Sequence, residues 1–117
     1  WVVPLSAEMD LAAQAPAGVQ RSHAVSPALP DMAFVSLTRE GVSKASAVKV
    51  LAEHMRIPLE RVMAVGDSEG DLPMLLEVGH PRIMANATPD LLERFPVLGP
   101  VDEVGAIEAL EEALTLT

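Results

Sequence analysis

A four-residue apolar run that stops on a glycine and an acid constrains this chain more than any other feature. Val62-Met63-Ala64-Val65 is followed at once by Gly66-Asp67-Ser68-Glu69-Gly70-Asp71. A run this short and apolar at every position has no single exposed face, so it reads as a strand covered on both sides, as in a parallel sheet. Parallel neighbours need crossover connections, and the surrounding sequence supplies them. Ser43 can cap a helix reaching about His54, with Ala47, Val48, Val50, Leu51 and Met55 recurring at helical spacing. Ile57-Pro58 breaks it. Leu72 to Val78 reads as a helix with Pro73 in its first turn, where the missing N–H costs nothing, and Gly79 ends it. Arg82 to Met84 is a short strand. Thr88 caps a helix from Pro89 through Arg94, Phe95 to Leu98 is a last strand, and Val104 to Leu114 is an amphipathic helix. Helix and short apolar strand alternate from residue 43 onward, which predicts an α/β fold with a parallel sheet.

Residues 1 to about 38 have a different texture, rich in alanine and proline. Trp1-Val2-Val3 suggests a short strand and Ser6 to Ala15 a helix. Val19 to Val25 and Ala33 to Leu37 can each be a strand, and Ser26-Pro27-Ala28-Leu29-Pro30-Asp31 between them reads as a loop.

Charge narrows the partners. The net charge is −9, with 17 acids against 8 Lys and Arg, and aromatics make up only 3% of residues. That balance opposes a nucleic-acid backbone and leaves no base-stacking platform. No run approaches the roughly 18–20 apolar residues of a membrane span. The absence of cysteine excludes thiolate metal sites and disulfides. With no export signal visible, the cytoplasm is the expected location. The chain begins on Trp1 in mid-strand character, so we expect a piece of a longer protein or a processed product. An acidic protein that handles phosphates needs a metal or a local cation to offset repulsion.

Asp67 directly follows the buried strand and so falls at its carboxyl end, where open α/β sheets place ligands. Asp67, Glu69 and Asp71 put three carboxylates within five residues. Their mutual repulsion is relieved by a hard divalent cation such as Mg²⁺, which takes oxygen ligands and keeps several waters. The plain alternative is a solvated acidic turn; the preceding strand, the flanking glycines and the Asp71-Leu72-Pro73 helix opening favour the metal. Glu69 is expected to face solvent. Lys44, at a helix start, can add its point charge to an anion site, or is simply a surface lysine. Asn86, just beyond the strand ending at Met84, can contact a phosphate oxygen or serve as a turn residue in a left-handed conformation. His23, His54 and His80 show no mutual ligand spacing. No Gly-x-Ser-x-Gly context supports a hydrolase triad, and no Gly-x-x-x-x-Gly-Lys-Ser/Thr loop supports a Walker nucleotide site.

Taken in order, Gly41-Val42-Ser43-Lys44, Val48 to Ala52, Gly66 to Leu75 and Met84-Ala85-Asn86-Ala87-Thr88-Pro89 resemble the haloacid dehalogenase (HAD) superfamily, and within it the Cof-type sugar-phosphate phosphatases, over about residues 33–117. The resemblance implies a three-layer, Rossmann-type parallel sheet core. Residues 39–117 would be its C-terminal half and residues 1–38 the end of an inserted α/β cap domain. It implies that Lys44 neutralises nucleophile and phosphate, that Asp67 holds Mg²⁺ with Asp71 assisting directly or through water, and that Asn86 contacts substrate. The expected substrate is a small phosphorylated metabolite. The family's Asn before the second loop Asp is here Gly70, and a common glycine is here Ala85. The family's Asp-x-Asp-x-Thr nucleophile motif has no counterpart in this sequence. The covalent half of the reaction is therefore expected from a missing N-terminal half or another subunit, without which an exposed sheet edge should leave the chain unstable and inactive alone. The competing readings are a non-catalytic binding domain on the same scaffold and the phosphorylation domain of a P-type ATPase, which has a similar loop.

Overall fold

The computed structural model describes residues 1–7, 14–26 and 28–116. The chain forms two compact units, Trp1–Ser43 and Lys44–Thr117.

The first unit is an antiparallel sheet of three strands in the order β1-β3-β2, with β1 at Val2–Pro4, β2 at Val19–Ser26 and β3 at Leu29–Arg39. Val2 pairs with Phe34, and on the other side of β3 His23 pairs with Val35 and Gln20 with Thr38. Alternation along β3 buries Ala33 and Val35 and exposes Phe34 and Ser36, so one face of the sheet carries the packing. The loop expected over residues 26–31 is shorter than its prolines suggested. Ser26 and Leu29 are already partners, and the register shifts between Val25 and Ser26. Pro30 fits in β3 because it falls in this irregularity, where a ladder N–H is not required. Of the helix expected over 6–15, residues 8–13 lie outside the described residues; Leu5–Ala7 form a 3₁₀ turn.

The second unit is α/β, as the alternation required. Its elements are α1 (Lys44–Met55), β4 (Met63–Gly66), α2 (Leu72–Leu75), β5 (His80–Ile83), α3 (Pro89–Leu92) and α4 (Gly105–Thr115). β4 and β5 are parallel, Met63 opposite His80 and Gly66 opposite Ile83. Their ladder runs on at both ends, from His80 N–H to the Val62 carbonyl and from Met84 N–H to the Gly66 carbonyl.

The unbroken apolar character of β4 is explained by its two faces. Ala64, with Val62 beside it, packs with Leu75, Val78, Ile83, Ala87 and Leu91 on the α1–α2 side. Met63 and Val65 pack with Met84, Leu98 and Ala109 of α4 on the other. Helices therefore cover both faces of the sheet, which is a three-layer arrangement.

Three elements are shorter than their sequence patterns suggested. The expected strand at Phe95–Leu98 reduces to a single parallel bridge between Ile83 and Val97, since Pro96 has no N–H to give and Pro100 follows closely. α2 stops at Leu75 because Gly79 is drawn against the 3₁₀ turn Leu59–Arg61: its N–H bonds the Leu59 carbonyl, and a Cβ there would lie 2.0 Å from the Glu60 oxygen. α3 stops at Leu92, and Pro96 disfavours helical geometry at the residue before it. Among the described residues no helix is long and apolar enough to cross a membrane.

Candidate active site

β4 delivers its last residue, Gly66, into a turn that wraps around one carboxylate. Asp71 is the only charged residue among the buried ones described, 5% exposed. Its Oδ2 accepts three hydrogen bonds, from the N–H of Asp67 (3.0 Å), the N–H of Ser68 (3.2 Å) and the Ser68 hydroxyl (3.2 Å). Its Oδ1 meets Lys44 Nζ at 2.5 Å. A buried carboxylate is tolerated only when satisfied in this way. Burial is the largest single influence on its acidity and opposes ionisation. The Lys44 hydrogen bond, the two backbone N–H groups and the Lys44 charge together outweigh it, and hold the carboxyl below the usual range.

Gly66 is required here by space. Its φ is not positive, but a Cβ would lie 2.6 Å from Asp71 Cβ and 3.0 Å from its Cγ. Gly70 is different: a Cβ there would meet only Ser68 Oγ, at 3.7 Å. Glycine at position 70 is thus not imposed by the local packing.

Asp67 has the opposite environment to Asp71. It is exposed, at the carboxyl end of β4, and among the described residues its carboxylate makes no hydrogen bond or ion pair. Its carbonyl instead accepts from Thr88 N–H at 3.3 Å, and Ala87 N–H bonds the Met84 carbonyl. These bonds fold the Ala85-Asn86-Ala87 turn back beside the Asp67 loop and leave Asn86 exposed. Its backbone is not left-handed: Arg56 and Val104 are the non-glycine residues with positive φ among those described. Thr88 precedes α3, as expected of a cap, but its hydroxyl makes no capping bond and is buried without a partner. Glu69 is exposed.

Lys44 is the first residue of α1, where the helix dipole disfavours a cation. Asp71 offsets that cost, while the lysine side chain stays 61% exposed. The structure therefore brings Lys44, Asp67 and Asp71 into one cluster, with the Asn86 turn bonded to the same loop. Among the described residues, no group of three or more His, Cys, Asp or Glu is placed to hold a metal by itself. Sequence reasoning missed Ser68. Its signal was the Ser68-Glu69-Gly70-Asp71 spacing, the Ser-x-x-acid pattern of a capping box. The three histidines form no site: His23 lies on β2, His54 in the last turn of α1 and His80 on β5.

The acidic loop and the lysine lie at the carboxyl edge of a parallel α/β sheet, where open sheets of this kind place their ligands. The family model of haloacid dehalogenase-like hydrolases matches residues 25–108, and the chain belongs to that family. It is 44% identical over 59 residues to a phosphoglycolate phosphatase from Methanothermobacter thermautotrophicus, a match covering 50% of this chain and 27% of that protein. It is 41% identical over 61 residues to an HMP-PP phosphatase from Citrobacter koseri, covering 52% and 22%. Among solved structures it resembles a phosphatase of the HAD superfamily from Bacteroides thetaiotaomicron, with TM-score 0.72 and 26% identity over 97% of this chain and 40% of that one. The chain thus spans about a quarter of the length of these curated relatives.

Proposed function

We propose that this chain is the C-terminal part of a Mg²⁺-dependent, cytoplasmic phosphatase of the Cof type. It would hydrolyse phosphate monoesters of small metabolites such as sugar phosphates. The observation that carries the reading is the division of labour between two carboxylates. Asp71 is buried and saturated by donors, whereas Asp67, four residues earlier, is exposed and has no partner for its carboxylate among the described residues, at the carboxyl end of a parallel strand.

An exposed, unpaired carboxylate is a fitting anchor for Mg²⁺, which needs only one or two protein carboxylates when phosphate and water complete its shell. When bound, the ion neutralises charge on the transferring phosphoryl group. Lys44 supplies a cation at the same edge. Its partner Asp71 keeps it oriented and fixes the backbone that presents Asp67, assisting the ion through that placement. Asn86 offers an amide to a phosphate oxygen. Residues 1–38 contribute the end of a cap domain that selects substrate. The phosphatase relatives support this reading, and the family model's match over residues 25–108 includes the loop.

The nucleophilic carboxylate comes from residues outside this chain. β4 has no pairing partner on its outer side among the described residues. An apolar groove of about 240 Å³, lined by Val48, Leu51, Ala52, Met55, Ile57 and Met63 among others, reaches it from α1. We place the remainder of the core against this edge. A strand paired there would bring its own carboxyl end beside Asp67.

The test is a phosphate-release screen with the complete protein on sugar phosphates and other small esters. Turnover with Mg²⁺, abolished by chelator and by Asp67→Asn, is expected. No turnover from the complete protein with Mg²⁺ would leave a non-catalytic binding domain instead.

A further inference from the structure

α4 buries its smallest residues and exposes large apolar ones. Gly105 and Ala109 are its buried positions, and Ala109 packs with Met63 and Val65 of β4. Ile107 and Leu110, three residues apart and so neighbours on the helix surface, are 48% and 67% exposed. Val101 and Val104, in the turn that leads into the helix, are exposed as well. A surface helix ordinarily turns its large apolar side chains inward. This one carries a second apolar face, left largely open by the described residues.

Val104 is an independent sign of a missing neighbour. Its φ is +53°, a left-handed angle that a β-branched residue rarely adopts. Its N–H bonds the Val101 carbonyl (3.1 Å) and its own carbonyl accepts from Ile107 N–H (2.8 Å), so the turn holds it there. Glycine takes that angle without strain. The valine side chain is 61% exposed, so its packing within this unit does little to offset the strain.

Charge defines what can cover the face. Residues 95–117 contain five acids and no Lys, Arg or His. Glu108 accepts from Gly99 N–H at 2.9 Å, and Glu112 is bound by Arg82. Asp102, Glu103 and Glu111 have no ion-pair partner among the described residues. A second copy of α4 would set acids against acids. The fitting complement is a helix whose apolar stripe is flanked by Lys or Arg. Its source follows from the sheet. α4 covers β4, whose outer edge has no pairing partner among the described residues. A strand added at that edge needs a helix over it on the same face, beside α4. This chain covers 40% of the solved HAD phosphatase it resembles, which leaves polypeptide enough to supply one.

We infer that the exposed face of α4, formed by Val104, Ile107 and Leu110 with Glu111 at its rim, docks a basic amphipathic helix from the remainder of the core. The inference rests on the placement of that remainder against β4, and adds to it the face that is covered and the charge of its neighbour. Burial of the Val104 side chain under that helix offsets the strain in its backbone.

The test uses the complete protein and reads thiol accessibility and thermal stability, not turnover. Leu110→Cys is alkylated with iodoacetamide and followed by mass spectrometry of its peptide. Labelling at least about tenfold slower in the folded protein than in denaturant, at every protein concentration, is expected. Val104→Gly and Glu111→Lys then give melts whose signs tell a docked face from a free one. On a free face both raise the melting temperature, the first by releasing strain and the second by relieving acidic repulsion. On the docked face each lowers it by about 2–4 °C, because the lost valine leaves a cavity and the lysine meets the partner helix's cations. Labelling at the denatured rate overturns the inference. So does protection that grows with protein concentration, which marks a second copy, and so does a melting temperature unchanged or raised in either variant. Should Leu110→Cys fail to fold, Ile107→Cys gives the same labelling readout. An active phosphatase in which Leu110→Cys labels freely loses this inference alone; a protected thiol in a protein without turnover refutes the phosphatase reading alone.

Discussion

Asp71→Asn is the substitution that separates the buried carboxylate of the loop from the exposed one. The change is isosteric, but an amide offers one acceptor and one donor where the carboxylate offered two acceptors. If the amide oxygen takes the place of Oδ2, it keeps the three donors from Asp67 and Ser68. Its NH₂ then faces the Lys44 ammonium, donor against donor. If the amide is turned over, its NH₂ faces the two backbone N–H groups. Hydrogen bonds to a charged acceptor contribute about 1.5–3 kcal/mol each against about 1 for neutral ones. The Lys44 pair adds little, because the lysine is 61% exposed and such pairs are worth about 0–1 kcal/mol. The expected cost of Asp71→Asn is therefore about 2–3 kcal/mol, most of it from the loop backbone. For a unit of this size that lowers the melting temperature by roughly 10–20 °C. Lys44→Met, which leaves the three Oδ2 donors in place, should cost about 1 kcal/mol or less. Chemical denaturation of the protein and both variants measures this. Equal costs for the two substitutions, or an Asp71→Asn variant within about 0.5 kcal/mol of the parent, would refute the assignment of Asp71 as organiser of the loop.

Other outcomes follow from the same geometry. Gly66→Ala forces a methyl group to 2.6 Å from Asp71 Cβ and should cost about 1–3 kcal/mol, whereas Gly70→Ala, with 3.7 Å of clearance, should stay within about 0.5 kcal/mol; thermal melts compare them. The Asp71 carboxyl is held low in the folded protein, while in the unfolded chain it titrates near about 3.9. Its contribution is therefore whole above that pH and is lost as pH falls below it. Stability measured from pH 6 down to 2 should decline below about pH 4, and Asp71→Asn should flatten part of that decline; an identical acid slope in the variant would contradict the assignment.

The strand that carries the site was legible because nothing else explains Val62 to Val65: a run apolar at every position demands cover on both faces, and β4 has it. The helix α1 was legible from its spacing, and the carboxyl-end placement of Asp67 followed from the strand. The lengths of α2, α3 and the segment at Val97 were not. They are set by long-range contacts, above all the approach of Gly79 to Glu60, and by Pro96, whose effect depends on where the chain must go next. Spacing placed Asp67, Glu69 and Asp71 together and Glu69 was expected to face solvent, but nothing in the spacing said which of Asp67 and Asp71 turns inward. That choice is made by Ser68 and by the gap left at Gly66, which exists only once the turn is folded.

The central claim is that Asp67, and not Asp71, presents the free carboxylate that anchors the metal. Mn²⁺ titrated into the complete labelled protein, as a paramagnetic substitute for Mg²⁺, tests it most directly. The account predicts resonance broadening centred on the Asp67–Ser68 loop and the Asn86 turn, reversed by excess Mg²⁺ and lost in Asp67→Asn while the fold is retained. Broadening that persists in Asp67→Asn, or that centres away from the carboxyl end of β4, would contradict it.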